Sequence, residues 1–147
     1  MKKIRGFVDS ELVKICHEQV SRSKKKMESQ KMDNIRFDEF FLWLKTTKYD
    51  GPVGLTAKFY VKSDQVQKYC EISKNNVEFS NTQVGVRFFK RHADFNNPSI
   101  FWIIHEWETV TDLKNHYLCE TYIKNMELIM DTLEEPICQI ALYKALD

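Results

Sequence analysis

The residues best suited to chemistry lie in one stretch, Ile100 to Met126. His105 and Trp107 stand two apart in a run of β-branched and aromatic residues, IFWIIHEW. If that run is a strand, both side chains share a face. His116 follows in a segment with helical character, and Tyr122 opens the next one. An imidazole can take a proton near neutral pH, and a tyrosine can donate a hydrogen bond to an oxyanion. His116 or His105 is thus a candidate base, Trp107 a candidate wall and Tyr122 a candidate donor. Ile103 and Phe59 on strands and Met126 on the last helix complete the expected apolar lining. The plain alternative is that both histidines cap or pack structurally, and residue types alone leave both readings open.

Other chemistries are poorly served. The sequence holds no G-x-G-x-x-G, no Walker motif and no G-x-S-x-G, which argues against nucleotide cofactors and common hydrolase chemistry. His92, His105 and His116 have no metal-ligand spacing, so no metal is expected. Gly54 and Gly85 are lone strand glycines, and no phosphate cradle is expected. The SRSKKK run beginning at Ser21 has no aromatic among its charges and reads as a solvated segment.

These residues need a scaffold, and its pattern is legible. VGLTAKFYV, Val53 to Val61, alternates as a strand, with Val53, Leu55, Ala57, Phe59 and Val61 on one face. A helix over about 63–79 follows, with a stripe of Val66, Tyr69, Cys70, Ser73 and Val77. A strand from about Gln83 to Arg91 and the strand Ile100 to Trp107 form a hairpin through ADFNNPS. Thr109 or Thr111 caps a short helix reaching about Tyr117. A longer helix runs from Glu120 to Leu133, Pro136 stops it, and Ile137 to Tyr143 is the last strand. The order β-α-β-β-α-β is the ferredoxin-like arrangement, an α+β fold with helices on one face of an antiparallel sheet. Both faces of the third strand are apolar, so the second face needs a cover, most simply a twin subunit. Glu106 on that second face is expected at the seam, paired with Arg87 or Lys58.

Residues 1–52 read as a helical extension of the 53–147 body. Leu12, Ile15, Cys16 and Val20 make one helical stripe. Phe37, Phe40, Phe41 and Leu44 make a stronger one at i, i+3, i+4 and i+7, and Leu42 and Trp43 add apolar surface elsewhere. Such a helix must be buried on its own or a twin body, where it can lid a pocket. Asp50-Gly51-Pro52 then breaks the chain.

Bulk properties set the remaining bounds. The 147 residues suit one domain, and 43% apolar with 29% charged content is that of a soluble globular protein. Net charge is +1, although residues 1–52 hold twelve Lys and Arg against eight Asp and Glu, and the rest ten against thirteen. No global field points to nucleic acid or membrane. Cys16, Cys70, Cys119 and Cys138 are scattered in apolar runs, as expected of free thiols in a reducing compartment. No apolar run is long enough for a membrane span, and Lys2, Lys3 and Arg5 precede no signal-type core. A cytoplasmic location is expected.

The body also resembles the antibiotic biosynthesis monooxygenase family of the dimeric α+β barrel superfamily. The matching residues are Glu106-Trp107 at the end of the third strand, Leu113 and His116 in the short helix, Tyr122, and Glu135-Pro136 before the last strand. The resemblance implies homodimers paired through the sheet face and a pocket between sheet and helices. It also implies cofactor-independent oxidation of a small aromatic or quinol compound by O2. A non-catalytic binding or structural barrel is the alternative, with the helical arm mediating protein contacts. Only the glycine of the family's E-P-G is kept, in Gln83-Val84-Gly85. Of the haem-degrading branch's features only Trp107 is present. The first strand has Ala57 or a neighbour in place of Asn, and the last helix has Asn125 or Met126 in place of the ligand His, so no haem is expected.

Overall fold

The computed structural model describes residues 32–146, so the expected stripe at Leu12 to Val20 lies outside the described residues. The elements are α1 (Phe37–Thr46), β1 (Val53–Tyr60), α2 (Val66–Ser80), β2 (Val86–Ala93), β3 (Ile100–Trp107), α3 (Val110–Leu118), α4 (Glu120–Met130) and β4 (Ile140–Lys144). The four strands form one antiparallel sheet in the order β2-β3-β1-β4, the ferredoxin-like order.

Register decides which residues meet. Val53, Leu55, Ala57 and Phe59 of β1 pair with Trp107, His105, Ile103 and Phe101 of β3. Phe89 and Arg91 of β2 pair with His105 and Ile103. Paired residues share a face, and this inner face is closed over by α2, α3 and α4. Along β3 exposure alternates strictly, buried at Phe101, Ile103, His105 and Trp107 and half-buried between them.

Local signals explain the boundaries. Thr109 is the N-cap of α3, its Oγ1 accepting from the Asp112 N–H at 3.0 Å. Asp50 reinforces that helix start by accepting from Thr111 N–H at 2.7 Å. Strand β2 begins at Val86, three residues later than its sequence suggests. Residues 81–85 form a turn that ends on Gly85 at φ +81, a left-handed conformation that suits glycine. Helix α4 stops at Met130, because Leu133 leaves the helix to bridge Val61. Strand β4 starts at Ile140 rather than Ile137, because the Ile137 carbonyl accepts from Phe37 N–H at 3.1 Å.

That last bond marks how α1 joins the body. Ile35 bridges Ile140 through two backbone bonds of 2.9 and 3.0 Å, and Leu142 N–H donates to the Met32 carbonyl. The 32–35 segment thus runs along the free edge of β4 and covers it. Glu39 accepts from Arg36 N–H at 3.1 Å and holds the helix entry. Phe37, Phe40 and Phe41 then close on Tyr117 of α3, with ring centroids 6.3, 5.0 and 5.5 Å away. The expected burial of this stripe is therefore on the chain's own body.

Candidate functional site

Strand β3 projects His105 and Trp107 inward, α3 supplies His116 and Tyr117 from its last turns, and α4 supplies Tyr122 from its first. Phe89 of β2 completes the group. All six are buried, with His105, His116 and Trp107 at 1, 2 and 0% exposure. Ring centroids are 3.9 Å apart for His116 and Tyr122, 4.7 Å for Trp107 and His116, and 4.3 Å for Phe89 and His105. The two imidazoles are 6.4 Å apart. The four residues singled out for chemistry therefore converge. Ile103 and Phe59 lie on the same sheet face but further along it, Phe59 against Tyr69 at 6.2 Å. Met126 is buried one turn of α4 beyond Tyr122.

The histidines differ in what their nitrogens do. Trp107 Nε1–H donates to His105 Nδ1 at 2.7 Å. That bond requires the Nδ1 lone pair, so His105 is neutral with its proton on Nε2. Burial, with the neighbouring His116 adding repulsion, holds its pKa well below the usual imidazole value. Its basic nitrogen is thus already engaged. His116 Nε2 lies 3.5 Å from Ser80 Oγ, whereas its Nδ1 is buried and has no hydrogen-bond partner. Burial pushes its pKa down to about 3. When Nε2–H faces the serine, the unpartnered Nδ1 carries a lone pair. Burial likewise raises the Tyr122 and Tyr117 hydroxyls above the ordinary phenol value.

Ser80 belongs to a feature that hydrophobic patterning missed. The buried residues of α2 are Tyr69, Ser73, Asn76 and Ser80; Tyr69 and Ser73 belong to the expected stripe, whereas Asn76 and Ser80 take the places expected of Val66, Cys70 and Val77. The spacing i, i+4, i+7, i+11 is helical, but polar residues at that spacing read as a solvent face. Here each meets a partner from elsewhere. Ser73 Oγ accepts from Arg91 Nη1 at 2.6 Å, and Asn76 Oδ1 accepts from Asn125 Nδ2 at 3.1 Å. Ser80 meets His116. A row of polar groups on α2 therefore meets β2, α4 and α3 in turn.

The outer sheet face differs. Lys58 Nζ lies over the rings of Tyr60 and Trp102, at 5.0 and 5.1 Å, and makes none of the contact with Glu106 that was one expectation. Glu106 accepts from Tyr143 Oη at 2.8 Å and lies 4.0 Å from Arg87, so the Arg87 pairing forms within one chain. His92 is exposed on this face, opposite His105 and His116. Among the described residues, no group of three His, Cys, Asp or Glu is placed to hold a metal. No described helix is long and apolar enough to cross a membrane.

Comparison with known proteins agrees with this architecture. No functionally curated protein matches the chain in sequence. Among solved structures, a conserved protein from Methanosarcina mazei Go1 superposes with a TM-score of 0.61 at 21% identity, covering 65% of this chain and 93% of its own. A structure described as an antibiotic biosynthesis monooxygenase gives 0.60 at 18% identity, over 65% and 99% of the two chains. Rv0793 from Mycobacterium tuberculosis gives 0.61 at 14% identity, over 66% and 97%. At such identities the likeness speaks for the fold. The family model "Antibiotic biosynthesis monooxygenase" matches residues 52–117, from the start of β1 to Tyr117. The segment from β1 through α3 thus resembles the antibiotic biosynthesis monooxygenase family, whereas α1, α4 and β4 lie outside the matched residues.

Proposed function

We propose that this protein is a cofactor-independent monooxygenase for a small, electron-rich aromatic compound of the hydroquinone or anthrone type. The observation that carries the reading is His116, a neutral buried imidazole whose Nδ1 has no partner and whose ring lies 3.9 Å from Tyr122. The bond from Trp107 engages His105 Nδ1, which favours His116 as the base. With a pKa of about 3, His116 does not gather protons from water at neutral pH. A proton taken from a substrate is different, because the anion left behind stays beside the imidazolium and offsets its desolvation. The substrate anion then gives an electron to O2, and the two radicals combine at carbon. For an anthrone-type CH2, one oxygen atom becomes the new carbonyl and the other leaves as water, so the reaction balances without an added reductant. Tyr122 is the donor to the developing oxyanion, and Trp107 and Phe89 are the walls that keep the anion dry.

The reading includes a homodimer paired through the outer sheet face, where Trp102, Ile104 and Tyr60 are half-buried and no described helix covers them. Haem degradation is not supported by these residues. Of the two residues at the place of the ligand histidine, Asn125 is held by Asn76 and Met126 is buried core, and β1 carries no Asn.

The closed packing of the aromatic cluster favours one other reading, a non-catalytic barrel in which the histidines are core. Oxygen uptake with a panel of hydroquinones and anthrones separates the two. Protein-dependent uptake that falls at least about a hundredfold in His116→Ala, with the fold kept by circular dichroism, supports catalysis. Uptake unchanged by that substitution rejects His116 as the base, and no uptake across the panel favours the core reading.

A further inference from the structure

The row of buried polar groups under α2 has two ends, and the end away from His116 holds a cation. Arg91 is on the inner face of β2, half-buried, in register with Ile103 and one rung from the Phe89–His105 pair. Its Nη1 donates to Ser73 Oγ at 2.6 Å and to the Cys70 carbonyl at 2.7 Å. These bonds fix the guanidinium, but both acceptors are neutral. Among the described residues no carboxylate pairs with it. Beside it, Tyr69 is 0% exposed and its hydroxyl has no hydrogen-bond partner. Arg91 and Ser73 lie close enough to lower the pKa of that hydroxyl, against the larger rise from burial. A half-buried cation with no carboxylate partner thus stands beside a fully buried hydroxyl with none, and the unmatched hydroxyl is costly in a site meant only for packing.

We infer that Arg91, Ser73 and Tyr69 form an anion-recognising subsite, and that the aromatic substrate carries a carboxylate. The inference rests on the oxygenase reading for the other end of the row. A carboxylate accepts from two guanidinium nitrogens at once, and Tyr69 Oη–H adds a third donor. From Ser73 to Ser80 along α2 is about 10 Å, two helical turns. That span suits an acid of one to two fused rings, its carboxylate at Arg91 and its reacting carbon toward His116. The sheet below offers Ile103 and Phe89 as an apolar floor between the two ends.

The test is calorimetric binding of hydroxynaphthoic acid and its methyl ester to the full chain, with oxygen uptake followed on the same compounds. The acid should bind about tenfold or more tightly than the ester. That preference should vanish in Arg91→Gln and largely persist in Arg91→Lys. Tyr69→Phe should weaken binding of the acid several-fold while the melting temperature holds or rises, because it removes a buried hydroxyl without a partner. If Arg91→Gln fails to fold, Tyr69→Phe and the salt dependence of the wild-type preference carry the test. Equal binding of acid and ester by the wild type, an unchanged preference in Arg91→Gln, or no binding of either compound overturns the inference. Acid-selective binding without oxygen uptake keeps the subsite and rejects the oxygenase reading. Uptake without acid preference does the reverse.

Discussion

The two faces of the sheet are made by alternate residues of the same strands, yet they meet opposite conditions. On β3, Phe101, Ile103, His105 and Trp107 are buried among helices, whereas Trp102, Ile104 and Glu106 lie half-exposed between them. Both faces carry a tryptophan and a titratable group. Inside, Trp107 spends its N–H on a neutral histidine at 2.7 Å, where burial forbids charge. Outside, Trp102 spends its N–H on the Asp94 carboxylate at 3.2 Å and carries the Lys58 ammonium over its ring. Burial on one side neutralises its titratable groups, while partial solvation on the other lets charges persist beside aromatics. The inner face thus keeps its imidazoles neutral, and the outer face keeps charged groups beside half-exposed aromatics.

The comparison breaks most visibly if Trp107 is removed. Trp107→Ala should cost about 3–5 kcal/mol, enough to unfold much of a marginally stable domain, and urea denaturation would read it. A loss below about 1 kcal/mol would mean the inner face is not a packed core.

Acid offers a second way in. The folded-state pKa values of His105 and His116 lie below the unfolded value, so the unfolded chain binds more protons and stability rises with pH. Their contribution is complete above the unfolded pKa of about 6.5 and is lost as pH falls toward the folded values. Lowering the pH from about 7.5 to 5.5 should cost roughly 1 kcal/mol per histidine, visible in the urea midpoint. A flat midpoint would show that the pair is charged or solvated in the native state.

Trp102→Glu sharpens the contrast from the other side. A charge on the outer face should change the stability of a single chain by about 1 kcal/mol or less, while the proposed dimer should disappear in light scattering. A mass already monomeric in the wild type would remove the dimer from the reading. The smallest effect belongs to Glu106→Gln. Its contact with Arg87 at 4.0 Å is partly solvated, and a loss of about 0.5 kcal/mol is expected in the same denaturation assay.

Much of the architecture could be read in advance because it depends on local periodicity. The alternation along Val53–Val61 and Ile100–Trp107, the Asp50-Gly51-Pro52 break and the Thr109 cap all act over a few residues. The convergence of His105, Trp107, His116 and Tyr122 was legible too, since the strand face and two adjacent helix starts bring them to one place. The stripe on α2 was only partly so. Tyr69 and Ser73 belong to the expected stripe, but apolar content drew its other members to Val66, Cys70 and Val77, whereas Asn76 and Ser80 are the ones buried. The burial of Ser73, Asn76 and Ser80 depends on Arg91, Asn125 and His116, which are 18, 49 and 36 residues away from their partners.

The amino-acid sequence by itself determined the order of elements, the inward faces of β1 and β3 and the residue types at the candidate site. These follow from periods of two and 3.6 and from caps and breakers that need no distant partner. Tertiary structure alone decided which histidine keeps a free nitrogen, because that depends on a hydrogen bond across the face of β3. It also decided that α1 packs on Tyr117 and that a helix buries its polar side. Whether a polar group gains or loses by burial depends on the partner it meets there, and that partner is supplied by the fold.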